Sequence, residues 1–231
     1  MGLKYLTPDE IKINKEIVYK EVTDRSTYFI RKKIVIDKVK KYFKIQDKML
    51  DIGCGAGELA VDLMAAGYNN INLVDIDNYL KPELVTRMQL NVLDVCFNKL
   101  PFADKVFNLV TAIAVFEHLE NQHFPLREIN RVLKSGGLFF MAIPNVFSMR
   151  SRITYLLKGD LKSYNVHNNH ITLFTKAIFE KTVLNKFDLE EIIYSNGYIK
   201  VFGKKINFKF DNNLLNSLFG DKVLYILKKN N

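Results

Sequence analysis

The spacing of hydrophobic positions changes near residue 46. Between residues 8 and 45 apolar residues recur every three or four positions, as in Tyr-Phe-Ile-Arg-Lys-Lys-Ile-Val-Ile at 28–36. That spacing predicts that residues 8–45 are helical, in two pieces. From residue 48 onward short apolar runs alternate with helical segments, which is typical of a sheet whose strands are joined by crossover helices.

The second part of the chain can be predicted element by element. Apolar runs predict strands at 48–52, 70–76, 88–92, 106–114, 138–143, 187–195 and 222–227. Helical spacing predicts helices at 59–66, 125–133 and 175–184. Ser-Gly-Gly at 135–137 predicts a turn before the fifth strand. Alternating strands and helices predict a doubly wound α/β fold with a mostly parallel sheet and helices on both faces.

We expect one domain over residues 1–231, because a chain of 231 residues has the size of a single domain. Within it, 1–45 is expected to form a helical cap and 46–145 the ligand-binding core. Residues 146–231 are expected to supply a substrate cover and the last strands. The stretch 146–170 is basic and amphipathic and then becomes a polar loop.

The most informative motif is Met-Leu-Asp-Ile-Gly-Cys-Gly-Ala-Gly at 49–57. A short apolar strand leads into three glycines and then a helical segment, which brings bare backbone against a nucleotide-like ligand. A dinucleotide fingerprint requires Gly-x-Gly-x-x-Gly and would place a glycine at 58, where this chain has Glu58. Asp51 precedes the first glycine, where it would repel a pyrophosphate and suit a ligand that carries an ammonium group.

Further acids follow the next two strands. Asp75, in Leu-Val-Asp-Ile-Asp at 73–77, stands where nucleotide-binding α/β folds accept hydrogen bonds from ribose hydroxyls. Asp94 lies in Asn-Val-Leu-Asp-Val at 91–95. The segment Ala-Ile-Ala-Val-Phe-Glu-His-Leu-Glu at 112–120 lies past the fourth strand, and open α/β sheets bind ligands at the carboxyl ends of their strands.

These motifs resemble those of the class I S-adenosylmethionine (SAM)-dependent methyltransferases over residues 28–200. Pro-Asn-Val-Phe-Ser-Met-Arg-Ser-Arg at 144–152 and His-Ile-Thr-Leu-Phe-Thr at 170–175 resemble a subgroup of this superfamily with a His-x-x-x-Phe-Thr segment. The resemblance implies SAM as the cofactor and S-adenosylhomocysteine as the product. It also implies a seven-stranded sheet that ends in a hairpin-like pair of strands.

The resemblance further implies which residues bind SAM. Asp51 is expected near the amino group of SAM, Asp75 at the ribose and Asp94 at the adenine amine, with Ile76 packed against the adenine. The full set of expected cofactor-binding residues lies at the ends of the first four strands: Asp51, Gly53, Cys54, Gly55, Gly57, Asp75, Ile76, Asp94, Val95, Ile113 and Ala114.

Two histidines are candidate catalytic bases, because the ordinary pKa of an imidazole lies close to the working pH. His118 lies in the segment after the fourth strand, and the alternative is that its Glu-His-Leu turn only holds the loop together. His170 precedes the Phe-Thr pair and could return over the active site, with a structural role as its alternative. Methyl transfer from a sulfonium needs mainly positioning and exclusion of water. No metal is expected, because the sequence lacks metal-binding motifs.

Other residues leave alternatives open. Arg150 and Arg152 could hold a phosphate or carboxylate of the substrate through paired donors, or form the polar face of a cover helix. Tyr19 or Tyr28 could contact the sulfonium through cation–π attraction. The cysteines Cys54 and Cys96 indicate buried free thiols rather than a disulfide framework.

Bulk properties limit the function only loosely. The net charge of +9 suits a nucleic acid or an acidic substrate, and it equally suits a solvated surface. No apolar run is long enough to span a bilayer, so a cytoplasmic protein is expected. The expected function is methyl transfer to an O or N atom of a small-molecule acceptor such as a sugar or nucleotide-sugar. An RNA or protein methyltransferase and an inactive SAM-fold partner subunit are the alternatives, and monomer or homodimer stays open.

Overall fold

The computed structural model describes residues 25–164, 168–195, 197–201, 204–208, 210 and 212–230. The contact predicted for Tyr19 falls outside these residues, as does the side chain of Tyr28. The predicted N-terminal helix is present over Arg25–Tyr42. Among the described residues, no helix combines the length and apolar character needed to cross a membrane.

Strands and helices alternate through the first two thirds of the described chain. The strands are β1 Met49–Ile52, β2 Ile71–Asp75, β3 Gln89–Val92, β4 Phe107–Ile113, β5 Leu133–Pro144, β6 Phe187–Tyr194, β7 Gly197–Val201, β8 Lys204–Phe208 and β9 Lys222–Lys229. The helices are α1 Arg25–Tyr42, α2 Glu58–Ala65, α3 Pro82–Val85, α4 His123–Val132, α5 Met149–Lys158, α6 Lys176–Thr182 and α7 Asn213–Phe219.

The main sheet has seven strands in the order β3-β2-β1-β4-β5-β9-β6. Strands β1 to β5 pair in parallel, whereas β9 pairs antiparallel with both β5 and β6. The strand order reverses between β1 and β4, and ligands of open α/β sheets bind outside the carboxyl ends at such a point. The predicted fold class, a doubly wound and mostly parallel seven-stranded sheet, is confirmed.

Helices cover both faces of the sheet because its buried strands alternate their side chains between two cores. Met49 packs with α1 and α2 through residues such as Val39 and Leu63. The next residue, Leu50, packs on the opposite face with α4 through residues such as Leu126. Each large apolar side chain buried in this way contributes about 1.5–3 kcal/mol, so the two cores hold the sheet from both sides.

The turn predicted at 135–137 is wrong. Strand β5 begins at Leu133 and runs through these residues. The pairing of β4 with β5 shifts register between Phe107, opposite Leu133, and Leu109, opposite Leu138. Gly136 has a φ of 72°, so the Ser-Gly-Gly sequence forms a bulge inside the strand and leaves the strand unbroken.

The last pair of strands expected for the sheet is confirmed, because β6 and β9 pair antiparallel. The β7–β8 hairpin and α7, which were not predicted, lie between these two strands in sequence. The side chain of Asn145, just after β5, donates hydrogen bonds to the carbonyls of Ser217 (2.7 Å) and Gly220 (2.8 Å). Asn145 therefore fixes this inserted segment to the end of β5.

Candidate active site

The glycine turn after β1, residues 53–57, packs tightly against the segment that follows β4. Gly53, Gly55 and Gly57 have φ values of 67°, 53° and 78°, which side chains rarely adopt. The Gly53 amide donates to the carbonyl of Val74 (2.8 Å). A Cβ atom added to Gly53 would lie 2.3 Å from Cγ2 of Val115. The turn thus needs glycines for its positive φ values, and Gly53 also needs to lack a side chain because Val115 lies against it.

Asp51 lies buried at the carboxyl end of β1, with 4% of its surface exposed. Burial raises the pKa of its carboxyl group to about 7, and the nearby charge of Asp75 acts in the same direction. The hydroxyl of Thr111 on β4 donates a hydrogen bond of 2.6 Å to Asp51 and opposes this rise. Sequence reasoning missed Thr111, because nothing in the sequence pairs β4 with β1. An ammonium group placed here would favour the ionised form of Asp51.

Asp75 joins the glycine turn to the end of β2. One carboxylate oxygen accepts from the Gly55 amide (2.8 Å) and the other from the Ile76 amide (2.7 Å). Burial raises the pKa of Asp75, and these backbone hydrogen bonds counteract part of the rise. Each carboxylate oxygen can accept a second hydrogen bond, so ribose hydroxyls could still bind. Ile76 is 60% exposed beside it and offers an apolar surface to a flat ring.

Asp94 and Val95 lie beyond the end of β3, next to this turn. The amide of Leu93 donates to the carbonyl of Asp75 (2.8 Å), which ties the two strand ends together. Asp94 accepts a hydrogen bond from the amide of Cys96 (2.8 Å), and Val95 is buried. The structure therefore brings the three predicted acids to the carboxyl ends of three neighbouring strands.

The two cysteines stay free in the described structure, and both are buried. Burial raises the pKa of the Cys54 thiol and of the Cys96 thiol. Because the thiolate is the nucleophilic form of cysteine, neither thiol is suited to nucleophilic catalysis.

The segment after β4 has an unusual backbone. Ile113 ends β4, and Ala114 adopts a φ of 60°, which is uncommon for a residue with a side chain. The Ala114 amide donates to the carbonyl of Ala142 on β5 (2.9 Å). A short 3-10 turn, Phe116–His118, follows at once. The chain thereby turns away from the sheet directly beside the glycine turn.

The structure brings the two predicted bases together. The ring centroids of His118 and His170 lie 4.7 Å apart. The amides of Ile171 and Thr172 both donate to the carbonyl of Glu117, at 2.8 and 3.0 Å, and hold the two segments side by side. Whether either histidine accepts a proton in catalysis stays a prediction.

The Phe-Thr pair after His170 has a structural role. Phe174 is buried, with its ring centroid 6.2 Å from that of Phe116 and 6.3 Å from that of Phe179. The hydroxyl of Thr175 accepts a hydrogen bond from the Ile178 amide (3.2 Å) and caps α6. Phe174 and Thr175 therefore anchor the segment that positions His170.

Glu117 lies beside both histidines. It is fully buried, and within the described part of the chain neither carboxylate oxygen has a hydrogen-bond partner. Nζ of Lys222 lies 3.8 Å from one of these oxygens. The ring of Tyr164 stacks edge-on against His170 at 5.4 Å, and burial, followed by the charge of Glu117, raises its pKa. The Glu-His-Leu triplet is the sequence signal that could have pointed to Glu117.

Arg150 lies on α5 and forms an ion pair with Asp221, just before β9. Its guanidinium donates to both carboxylate oxygens of Asp221 (3.1 Å each), and Nζ of Lys162 binds the same carboxylate at 2.7 Å. The side chain of Arg152 donates to the carbonyl of Phe147 (3.0 Å). Of the two roles considered for these arginines, these contacts favour the one in the cover helix.

Comparison with known proteins agrees with this geometry. The family described as "Methyltransferase domain" matches residues 50–141. The uncharacterized protein MJ1252 of Methanocaldococcus jannaschii is 31% identical over 195 residues, covering 81% of this chain and 72% of its own. A ubiquinone biosynthesis O-methyltransferase of Rickettsia bellii is 29% identical over 178 residues, covering 71% of each chain.

Solved structures show the same fold. The PH0226 protein from Pyrococcus horikoshii OT3 superposes with a TM-score of 0.63 at 20% identity, over 90% of this chain and 93% of its own. A SAM-dependent methyltransferase from Archaeoglobus fulgidus gives a TM-score of 0.60 at 20% identity, over 89% of this chain and 100% of its own.

The fold and the site define a class I SAM-dependent methyltransferase. The residues present fit SAM, because the buried carboxylates of Asp51 and Asp75 lie at the ends of β1 and β2, where hydrogen-bond acceptors for an amino group and for ribose hydroxyls are expected. The chain belongs to the methyltransferase-domain family, and it is a SAM-dependent methyltransferase with SAM as its cofactor.

Proposed function

We propose that this enzyme methylates a small molecule at an O or N atom, and that its acceptor is a hydroxyl group of a sugar or nucleotide-sugar. The observation that carries the proposal is the cluster of His118, His170 and Glu117 directly after β4. Imidazole and carboxylate groups at this end of the sheet suit an acceptor that must lose a proton. The related ubiquinone biosynthesis enzymes are named O-methyltransferases, which supports oxygen as the acceptor atom.

The proposed reaction is an in-line displacement at the methyl carbon of SAM. The acceptor oxygen forms a bond to the methyl carbon while the bond from carbon to sulfur breaks, and sulfur keeps the electron pair. The acceptor proton passes to an imidazole of His118 or His170. Because the sulfonium charge is neutralised in the transition state, a buried and water-poor site favours the reaction.

The hydrogen bonds of the two histidines suit this role. Nδ1 of His118 lies 3.3 Å from the carbonyl of Asn169, and Nδ1 of His170 lies 2.5 Å from the carbonyl of Ser163. A carbonyl oxygen only accepts, so each Nδ1 carries the proton and each Nε2 carries the lone pair. A proton acceptor needs such a lone pair, which supports either histidine as the base.

An acceptor screen with methyl-labelled SAM tests the proposal. We expect label to enter nucleotide-sugars or free sugars in a product that is stable as an ether. Phenolic acceptors and amines form the comparison set. The acceptor class is wrong if sugars stay unlabelled while amines or phenols take the label.

A second function is favoured only by the net charge of +9, which would suit methylation of RNA. Binding of RNA through phosphate contacts would weaken steeply as salt concentration rises. Labelled SAM incubated with total RNA therefore serves as the counter-experiment. Label in RNA, together with a steep salt dependence of binding, would replace the small-molecule acceptor.

A further inference from the structure

The cluster after β4 contains a set of donor atoms that its protein surroundings leave incomplete. Glu117, His118 and His170 each offer one donor atom, and these atoms lie within 4.8 Å of one another. Glu117 is fully buried, and both of its carboxylate oxygens lack hydrogen bonds within the described part of the chain. A buried carboxylate is strongly unfavourable unless charge and hydrogen bonds or a metal ion compensate it. Something besides the described side chains must therefore satisfy Glu117.

Lys222 supplies only part of that compensation. Its Nζ atom is 3.8 Å from the nearer oxygen of Glu117, which exceeds hydrogen-bond distance. Neither carboxylate oxygen accepts a hydrogen bond within the described residues. The ammonium group of Lys222 thus lowers the free-energy cost of burying the charge of Glu117, but it leaves the carboxylate oxygens able to bind a ligand.

The tautomers of the two histidines match those of metal ligands. A metal-bound histidine typically donates its other ring N–H to a carboxylate or a backbone carbonyl, which fixes the tautomer and orients the ring. The Nδ1 atoms of His118 and His170 both face backbone carbonyls, of Asn169 and Ser163. Each Nε2 then has the lone pair that a metal ion requires.

We propose that Glu117, His118 and His170 bind one divalent transition-metal ion, and that Zn²⁺ is the ion this set of donors favours. Two imidazoles and one carboxylate form a known set for catalytic zinc and for related divalent ions. Donor atoms around tetrahedral zinc lie about 3.4 Å apart, so small side-chain rotations would close the set. No metal was expected from the sequence because it lacks metal-binding motifs, and these three residues form none: two are adjacent and the third lies on a distant segment.

The metal site deepens the proposed function and rests on it in one respect, because the proposed function places the acceptor at the same cluster. Three protein ligands leave at least one coordination position for an exogenous oxygen. When both Nε2 lone pairs bind the metal, neither imidazole can take the acceptor proton. A hydroxyl bound to the metal would then have a lower pKa, and its proton would leave to solvent before the methyl carbon is attacked. Binding of the metal itself depends neither on SAM nor on the identity of the acceptor.

Calorimetric titration of the full-length protein with zinc chloride tests the site directly. The protein is first treated with a chelator, which is then removed, and neither SAM nor acceptor is present. We expect one strongly bound zinc ion per chain. Glu117→Gln and His170→Ala should each weaken zinc affinity by at least about 10–100-fold, the loss seen when even supporting partners of a metal site are removed.

Matched variants separate this site from other zinc binding. His123→Ala removes an exposed histidine outside the cluster and should leave zinc affinity unchanged. Lys222→Met removes the ammonium group and should leave zinc binding intact or strengthen it. Circular dichroism and a thermal unfolding scan of each variant check that it is folded. A folded Glu117→Gln protein that binds zinc as tightly as the parent would overturn the proposal.

Cobalt gives a second readout that does not depend on affinity. Co²⁺ bound by His118, His170 and Glu117 should show the intense visible absorption of four- or five-coordinate cobalt, and the His118→Ala variant should lose it. A spectrum that stays that of hexa-aqua cobalt in the parent protein would contradict the site. SAM affinity, measured separately, shows whether a failure concerns the metal alone or also the methyltransferase assignment.

Discussion

The two ends of the active site are built in different ways. The expected cofactor end contains Asp51 near the end of β1, Asp75 at the end of β2 and Asp94 just after β3. Backbone amides hold Asp75 and Asp94, and Thr111 holds Asp51. The proposed acceptor end joins the turn after β4 to residues 168–172, and backbone hydrogen bonds hold these two distant segments together. The first end can therefore be predicted from motif spacing, whereas the second exists only after the chain has folded. Variants at one end should leave the other end working.

The largest expected effect lies at the acceptor end. His118→Ala and His170→Ala should each lower turnover about 10²–10⁴-fold, the usual contribution of a positioned acid or base. SAM affinity should stay unchanged, because neither ring belongs to the cofactor end. The measurements are turnover with the acceptor from the screen and calorimetric titration with SAM. His123→Ala, exposed and outside the cluster, is the control, and normal turnover in both active-site variants would leave only positioning catalysis.

At the cofactor end, stability should depend on the ionisation of Asp51. Burial raises the pKa of Asp51 to about 7 from its ordinary value of 3.8, so near neutral pH the folded state holds a proton that the unfolded state releases. The stability that protonated Asp51 gives the folded state is fully present below the pKa of Asp51 in the unfolded chain. It is lost as pH rises through the pKa of Asp51 in the folded protein. Between pH 5 and 8, the parent protein should lose about 3 kcal/mol relative to Asp51→Asn.

Urea unfolding at several pH values measures this difference. Thr111→Val removes the hydrogen bond that lowers the pKa of Asp51. The pH-dependent fall in stability should therefore occur at higher pH in this variant than in the parent protein. Parallel stability curves for the parent and Asp51→Asn would show that Asp51 is ionised in the folded state and that its burial is compensated.

The next largest effect is expected where the glycine turn approaches Val115, in the segment after β4. Gly53→Ala places a methyl group 2.3 Å from Val115 in a left-handed backbone conformation, so stability should fall by about 2–3 kcal/mol. Gly159→Ala is the matched control, because Gly159 has a φ of 75° and no described atom within 4 Å of the added Cβ. Its cost should be about 1 kcal/mol, from conformation alone.

The double variant Gly53→Ala/Val115→Ala sharpens this result. Shortening Val115 removes the Cγ2 atom with which the new methyl group collides. The double variant should then lose less stability than the sum of its two single variants, as measured by urea unfolding. If the loss of stability in the double variant equals the sum of the losses in the two single variants, the collision with Val115 is not the cause of the destabilisation by Gly53→Ala.

The smallest expected effect concerns ribose binding. Asp75→Asn should weaken SAM binding by about 1–3 kcal/mol, because charged hydrogen bonds to the ribose are lost. Asp77→Asn, two residues further along the chain, is the control and should bind SAM normally. Calorimetric titration measures both affinities. Equal SAM affinity in Asp75→Asn and the parent protein would refute the ribose assignment, while turnover shows whether the acceptor end still functions.

The sequence by itself determined the main sheet and the positions of the three acids expected at the cofactor end. Strand and helix periods are local, because each depends on which face of one element is buried. The glycine turn and Asp75 are likewise local, since a positive φ and a strand end can be inferred from a few neighbouring residues. The Phe-Thr pair fits the same pattern: Thr175 caps α6 and Phe174 fills the core.

Only the tertiary structure decided the rest. The bulge at Gly136 depends on the register between two strands, and the β7–β8 hairpin and α7 are set between β6 and β9 without a strong local signal. The burial of Glu117 and the contact of His118 with His170 depend on packing between distant segments. Charge compensation and ring contacts arise from distances in space, and spacing along the chain does not contain those distances.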